Sequence, residues 1–310
     1  MKRLSNLTGL KNLSKQEIIE ILDLADKLEG VCTGKEISRE LENKIMATFF
    51  YEPSTRTRFS FEAAMQRLGG KVISMADAKS TSSVWKGESL PDTIRTIDNY
   101  VDVIVLRHPE SGAAEIAANY SRVPILNAGD GTNEHPTQGL LDMLTIRHEK
   151  KTIDGLKIAI VGDLKHTRST NSLTLGLSNF DVNLTLVAPK GFETSEPILE
   201  ILRTRNVNYK QTQDIRTVIK DVDVVYVCRI QKERLENPAD YESIKGSYTV
   251  NREILEQSSK VISVLHHMPR VDELSKDVDD YPGAAYFKQP FYGVLVRAAV
   301  LKMALDPESI

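Results

Sequence analysis

The sequence predicts an α/β protein of two domains, each built on a parallel sheet. Three features carry this expectation. Short apolar runs of strand length alternate with segments of helical periodicity, one polar stretch interrupts the alternation, and the alternation then begins again. At 310 residues the chain is about twice an ordinary domain, and its 41% apolar content is enough to build two cores.

Ser14 and Glu17 form an S-x-x-E capping box ahead of Ile18, Ile21, Leu22, Ala25 and Leu28, so the first element is a helix. Strand-like runs follow at 45–51, 72–75, 101–106 and 123–128, separated by helical patterns at about 55–68, 91–99 and 112–119. The polar stretch RHEKKTIDG at 147–155 marks the expected boundary, giving a first domain of 1–146 and a second of 147–289. The second series runs through LKIAIVGDL, VNLTLVAP, DVDVVYVCR and KVISVLHH. The closing stretch YGVLVRAAVLKMAL is apolar around so much of its circumference that it reads as a buried helix.

A formal net charge of -3 argues against a general nucleic-acid or membrane-surface protein. Any anion site must therefore be built locally. Cys32 and Cys228 stand far apart with no CxxC, so neither a disulfide framework nor a zinc knuckle is expected. The N-terminal segment lacks the apolar core of a signal peptide, and nowhere do 18 apolar residues run together, which together predict a cytoplasmic chain.

The stretch Ser54-Thr55-Arg56-Thr57-Arg58 joins a strand to a helix in which Phe61, Ala64, Met65 and Leu68 recur at helical spacing, with Gly69-Gly70 as the stop. At a helix start the first N–H groups lack partners and the macrodipole end is positive, which suits phosphate. A lone Ser-Thr pair there would be an ordinary cap. Two arginines in a positive first turn are unfavourable unless an anion offsets them. Further polar clusters follow the ends of other strands, where open parallel sheets bind ligands: Arg107-His108-Pro109, GDGTNEHPTQ at 129–138, Arg168, Arg229 and HHMPR at 266–270. The segment STSSVWKGES at 80–89 adds Lys86 and Trp85, readable equally as an exposed loop.

These motifs resemble those of the aspartate/ornithine carbamoyltransferase family. STRTR at 54–58 is similar to its carbamoyl-phosphate loop, and LRHPE at 106–110 and NAGDGTNEHPTQ at 127–138 to two further signatures. CRIQKER at 228–234 and PRVDE at 269–273 resemble the aspartate branch; the cysteine in the HxxP loop and the Ser-Met-Gly loop expected of an ornithine enzyme are missing. The resemblance implies two doubly wound parallel-sheet domains, with the C-terminal helix at about 290–310 returning to the first. It implies carbamoyl transfer to L-aspartate in pyrimidine biosynthesis, without metal or cofactor.

By resemblance, Ser54, Thr55, Arg56 and Thr57 hold the phosphate, and Thr57, Arg107 and His135 the carbonyl oxygen. Gln138 and the backbone carbonyls of Met268 and Pro269 hold the carbamoyl NH2, and Arg168, Arg229 and Gln231 bind aspartate. Lys86 and Ser82 would come from a neighbouring subunit of a homotrimer, with a regulatory chain as a possible further partner. His267 and Met268 stand where the family usually has Pro and Leu. Two other readings are weaker. A nicotinamide dehydrogenase would share the two α/β halves, but neither GDGTNE nor VGDLKH completes G-x-G-x-x-G after a strand. A silent homologue would have lost ligands, whereas every polar position named here is kept.

Overall fold

The computed structural model describes residues 4–81, 86–231 and 248–306. Two compact units divide the chain, one of Met1–Leu141 with Pro290–Ile310 and one of Asp142–Gln289. The first runs α1 (Lys15–Lys27), α2 (Glu29–Thr33), β1 (Ile45–Phe50), α3 (Thr55–Arg67), β2 (Lys71–Met75), α4 (Ala78–Thr81), α5 (Leu90–Ile97), β3 (Val103–His108), α6 (Ala113–Tyr120), β4 (Ile125–Asp130) and the start of α7 (Pro136–Lys150). The second continues with β5 (Lys157–Val161), α8 (Arg168–Leu177), β6 (Asn183–Val187), α9 (Glu196–Thr204), β7 (Asn208–Thr212), β8 (Val224–Val227), α10 (Arg252–Leu255) and β9 (Ser263–His266). Helix α11 (Gln289–Leu305) then belongs, from Pro290 onward, to the first unit. Among the described residues no helix is long and apolar enough to cross a membrane.

All strand pairs are parallel, in the orders β2-β1-β3-β4 and β7-β6-β5-β8-β9. The winding reverses between β1 and β3 in the first sheet and between β5 and β8 in the second. Open parallel sheets bind ligands beyond the strand ends at such reversals. The central strands are buried on both faces. The edge strands β2 and β7 are mostly exposed, and the polar segment Asn208–Thr212 gave no strand signal in the sequence because only one neighbour and little core select its residues.

The capping box of α1 forms as expected: the Ser14 hydroxyl accepts from the Glu17 N–H, and the Glu17 carboxylate accepts from the Ser14 N–H at 2.9 Å. Helix α11 buries Leu295, Val296, Ala298, Ala299, Val300, Leu301, Met303 and Ala304, and covers even its charged positions. Lys302 Nζ donates to Glu40 at 2.8 Å, and the Arg297 guanidinium lies 5.2 Å from the Phe61 ring centroid. Both thiols are free and buried.

In the second unit the ends of β5 and β8 approach so closely that residue 162 must be glycine. Gly162 has φ +124, and a Cβ there would lie 2.0 Å from the Cys228 carbonyl oxygen. Gly162→Ala is therefore expected to destabilise the protein by about 2 kcal/mol or more, from positive φ and backbone overlap together. Chemical denaturation checks this, and a midpoint equal to that of the parent would refute the close-approach argument.

Candidate active site

In the first unit, the predicted residues Ser54, Thr55, Arg56, Thr57, Arg107, His135 and Gln138 follow or end β1, β3 and β4, around the winding reversal. Ser54 is the N-cap of α3, with φ -159 and ψ 104, yet its hydroxyl makes no capping bond. The plain-cap reading of that serine therefore fails, and the first turn keeps its donors. Arg56 forms no ion pair among the described residues, and desolvation alone pulls its guanidinium below the usual arginine value. Arg58 behaves differently. Its guanidinium reaches Glu62 at 3.8 Å and donates to Ser74 at 3.0 Å, so the electrostatic case for an anion, which counted both arginines, holds for Arg56 only.

The Thr57 hydroxyl lies 3.2 Å from His135 Nε2, both residues being buried. Arg107 donates from Nη1 to the Ala128 carbonyl at 3.3 Å, and its Nε lies 3.6 Å from Glu52. The loop that delivers His135 is organised by Asp130. Its Oδ1 accepts from Asn127 Nδ2 at 2.8 Å and from the Glu134 N–H at 3.2 Å, while Oδ2 accepts from the Gly112 N–H at 2.8 Å and from Asn133 Nδ2 at 3.0 Å. Glu134 in turn accepts from the Leu10 N–H at 2.7 Å. Much of NAGDGTNEHPTQ is thus loop architecture. His108 is buried, which pushes its pKa down against the pull of Glu110, Glu52 and Asp130, and its Nδ1 accepts from the Glu110 N–H at 3.1 Å.

In the second unit, Arg168, Arg229, Gln231, Met268 and Pro269 follow β5, β8 and β9. Arg168 opens α8, whose N-cap Thr167 also makes no capping bond. Asp163, fully buried, accepts from the N–H groups of His166 at 2.9 Å and Gln231 at 3.3 Å. Gln231 Nε2 donates to the His166 carbonyl and to Thr167 Oγ1, both at 3.0 Å. In this state its amide positions the Arg168 loop, and donation to a ligand needs those partners exchanged. The Met268–Pro269 peptide is cis and Met268 has φ 54. Asp130 and Asp163, which tie their own loops to neighbouring ones through the Gly112 and Gln231 N–H groups, were not singled out by the sequence reasoning; their signal was an acid two residues beyond an apolar strand run. Lys86 is exposed, and Ser82 and Trp85 lie outside the described residues.

One contrast runs through both units. Helices α1, α5, α6 and α9 carry Glu17, Asp92, Glu115 and Glu196 in their first turns, as the macrodipole favours. Helices α3, α7 and α8, which begin at the predicted site residues, carry no acid there, a lack they share with α4 and α11.

The family description "Aspartate/ornithine carbamoyltransferase, carbamoyl-P binding domain" matches residues 5–148, and "Aspartate/ornithine carbamoyltransferase, Asp/Orn binding domain" matches 154–304. The chain belongs to the aspartate/ornithine carbamoyltransferase family. It is 53% identical over 304 residues to the aspartate carbamoyltransferase catalytic subunit of Methanocaldococcus jannaschii, covering 98% of each chain. With that of Thermoplasma volcanium it shares 46% over 301 residues, covering 97% of this chain and 98% of the other. A crystal form of the M. jannaschii catalytic subunit superposes with a TM-score of 0.90 at 52% identity, over 99% of each chain. Trypanosoma cruzi aspartate transcarbamoylase in complex with N-(phosphonacetyl)-L-aspartic acid does so at 0.92 and 40% identity, over 97% of this chain and 96% of that one.

Because the α3 terminus lacks an acid and Arg56 lacks an ion pair among the described residues, inorganic phosphate is expected to raise the melting temperature relative to a chloride control. A concentration of about 100 times Kd corresponds to about 2.7 kcal/mol. Arg56→Ala should lose most of that shift. An undiminished shift in the variant would place the phosphate elsewhere.

Proposed function

We infer that the chain transfers the carbamoyl group of carbamoyl phosphate to the α-amine of L-aspartate, giving N-carbamoyl-L-aspartate and phosphate, a step of pyrimidine biosynthesis. The observation that carries this reading is the first turn of α3: an uncompensated Arg56 and an unused Ser54 hydroxyl beyond the β1 end, in a chain of this family.

The uncharged amine attacks the carbonyl carbon, the new C–N bond forms as charge gathers on the carbonyl oxygen, and the C–O bond to phosphate then breaks while the nitrogen loses a proton. Oriented donors at the developing oxyanion are the main requirement. Thr57, Arg107 and His135 supply them, and the 3.2 Å contact between Thr57 and His135 supports their acting on one oxygen. Ser54, Thr55, Arg56 and Thr57 receive the departing phosphate. Gln138 and the Met268 and Pro269 carbonyls take the NH2 donors. Arg168 and Arg229 match the aspartate carboxylates with planar forks, while Gln231 contributes by holding the loop before Arg168.

Lys86 and Ser82 complete the phosphate site from a neighbouring copy in a homotrimer, a cytoplasmic assembly on this reading. The exposure of Lys86 is compatible with such a role.

Assays with aspartate and ornithine as acceptors test the reaction: aspartate should be carbamoylated and ornithine left unchanged. Arg229→Ala should raise KM for aspartate strongly while sparing carbamoyl-phosphate affinity, a split that a folding defect would not give. Equal loss for both substrates would overturn the assignment.

Sharing of the site between copies has its own test. Inactive Arg56→Ala and Lys86→Ala chains, dissociated and reassembled together, should regain activity, because one type of interface then pairs an intact lysine with an intact STRTR loop. Mixed trimers confirmed by mass but no more active than either parent would reject the shared site.

A further inference from the structure

Gln289, the first residue of α11, is 2% exposed, uncharged, and outside every candidate site motif named above. Its Oε1 accepts from the His266 N–H at 2.8 Å, and its Nε2 donates to Asp142 Oδ1 at 2.6 Å. The partners define the amide orientation, since one is a donor and the other an acceptor. Asp142 is fully buried and His266 is 1% exposed, so all three groups sit away from water, where an unmade hydrogen bond is costly.

His266 is the last residue of β9 and the first of the loop carrying Met268 and Pro269. Its ring continues the chain of contacts: Nδ1 accepts from the Met268 N–H at 2.8 Å, so the ring proton resides on Nε2, which donates to Glu273 at 2.8 Å. Glu273 also accepts from the Val271 N–H at 3.1 Å and the Asp272 N–H at 3.2 Å. Burial would raise the Glu273 pKa, but His266 and the backbone N–H groups of Glu273 and Val271 outweigh it and hold the carboxyl below its ordinary range. Three N–H groups of the loop are thereby tied inward, and the backbone of β9 from which the loop departs is anchored by Gln289. Asp142, at the other end of the bridge, lies beside the buried phenol of Tyr226.

We propose that Gln289 is a positioning residue for carbamoyl transfer: by clamping His266 to Asp142 it sets the Met268 and Pro269 carbonyls that accept from the carbamoyl NH2. The inference rests on the assignment of those carbonyls made above.

Acetyl phosphate carries a methyl group where carbamoyl phosphate carries NH2, so the two donors separate this role from general integrity. In the wild-type protein, competitive binding should show tighter binding of carbamoyl phosphate than of acetyl phosphate. Gln289→Glu removes the donor to Asp142 and sets two carboxyl groups face to face. It should lower kcat/KM with carbamoyl phosphate by about tenfold to 10²-fold, the cost of a small misplacement, while changing turnover of acetyl phosphate with aspartate much less. The exchange D142N/Q289E restores one donor and one acceptor in reversed order and should recover most of the loss. Where Gln289→Glu does not fold, Gln289→Met, which keeps the length and drops both hydrogen bonds, carries the same comparison. Equal losses with both donors, or no loss, would overturn the positioning role. A wild-type protein that binds both donors equally would instead sink the carbonyl assignment, and the inference with it.

Discussion

The site depends on three helix starts that carry no acid of their own. A parallel strand feeding a helix delivers backbone N–H groups and a macrodipole end to the same edge of the sheet. At α3, α7 and α8 the chain adds no acid, and at α3 and α8 it leaves the cap hydroxyls unengaged with the helix. Arg56 and Arg168 then raise the positive charge further. A surface helix gains nothing from such an arrangement, as the acids in α1, α5, α6 and α9 illustrate. Anionic ligands resolve the conflict, and a phosphate and two carboxylates are the anions of carbamoyl transfer to aspartate.

Concentrated positive charge must also be held still, and buried carboxylates perform that task in three loops. Asp130 accepts from the Gly112 and Glu134 N–H groups, Asp163 from those of His166 and Gln231, and Glu273 from those of Val271 and Asp272. Asp130 and Asp163 consume donors both of their own loop and of a neighbouring one, and Glu273 those of its own. Donors and acceptors fixed before substrate arrives need no reorganisation during the reaction, which is the physical basis of the oxyanion stabilisation proposed for His135 and Thr57. Replacing such a carboxylate would therefore act on catalysis through geometry, without any contact to the reacting atoms.

Strands with two buried faces were legible in the sequence because burial on both sides demands continuous apolar runs, as in Ile45–Phe50 and Lys157–Val161. Strand Asn208–Thr212 was not, since its residues NYKQT form no apolar run, whereas the equally exposed edge β2 keeps Val72, Ile73 and Met75. The site residues were legible by type and by position after strands. Their division of labour was not. Arg56 and Arg58 look alike in STRTR, yet Glu62, one helical turn on, neutralises only the second. Gln231 carries the right donors for a carboxylate, but they are engaged with His166 and Thr167, partners some 65 residues earlier in the chain. Separations of that size lie beyond local pattern, and only the β5–β8 pairing brings them together.

The HHMPR loop shows how a departure from the usual family residues is absorbed. Proline at 267 would restrict the backbone through its ring. His267 instead stacks its ring against two others, at 6.0 Å and 15° from Tyr226 and at 5.4 Å and 8° from His266. Ring contacts with two neighbours restrict side-chain motion, and the restraint passes to the loop through the same His266 that binds the Met268 N–H. Backbone rigidity supplied by a covalent ring is thereby replaced by rigidity supplied by packing. Under the proposed assignment only the backbone carbonyls of Met268 and Pro269 meet the substrate, so the side chains at 267 and 268 are free to change as long as the loop stays anchored at β9.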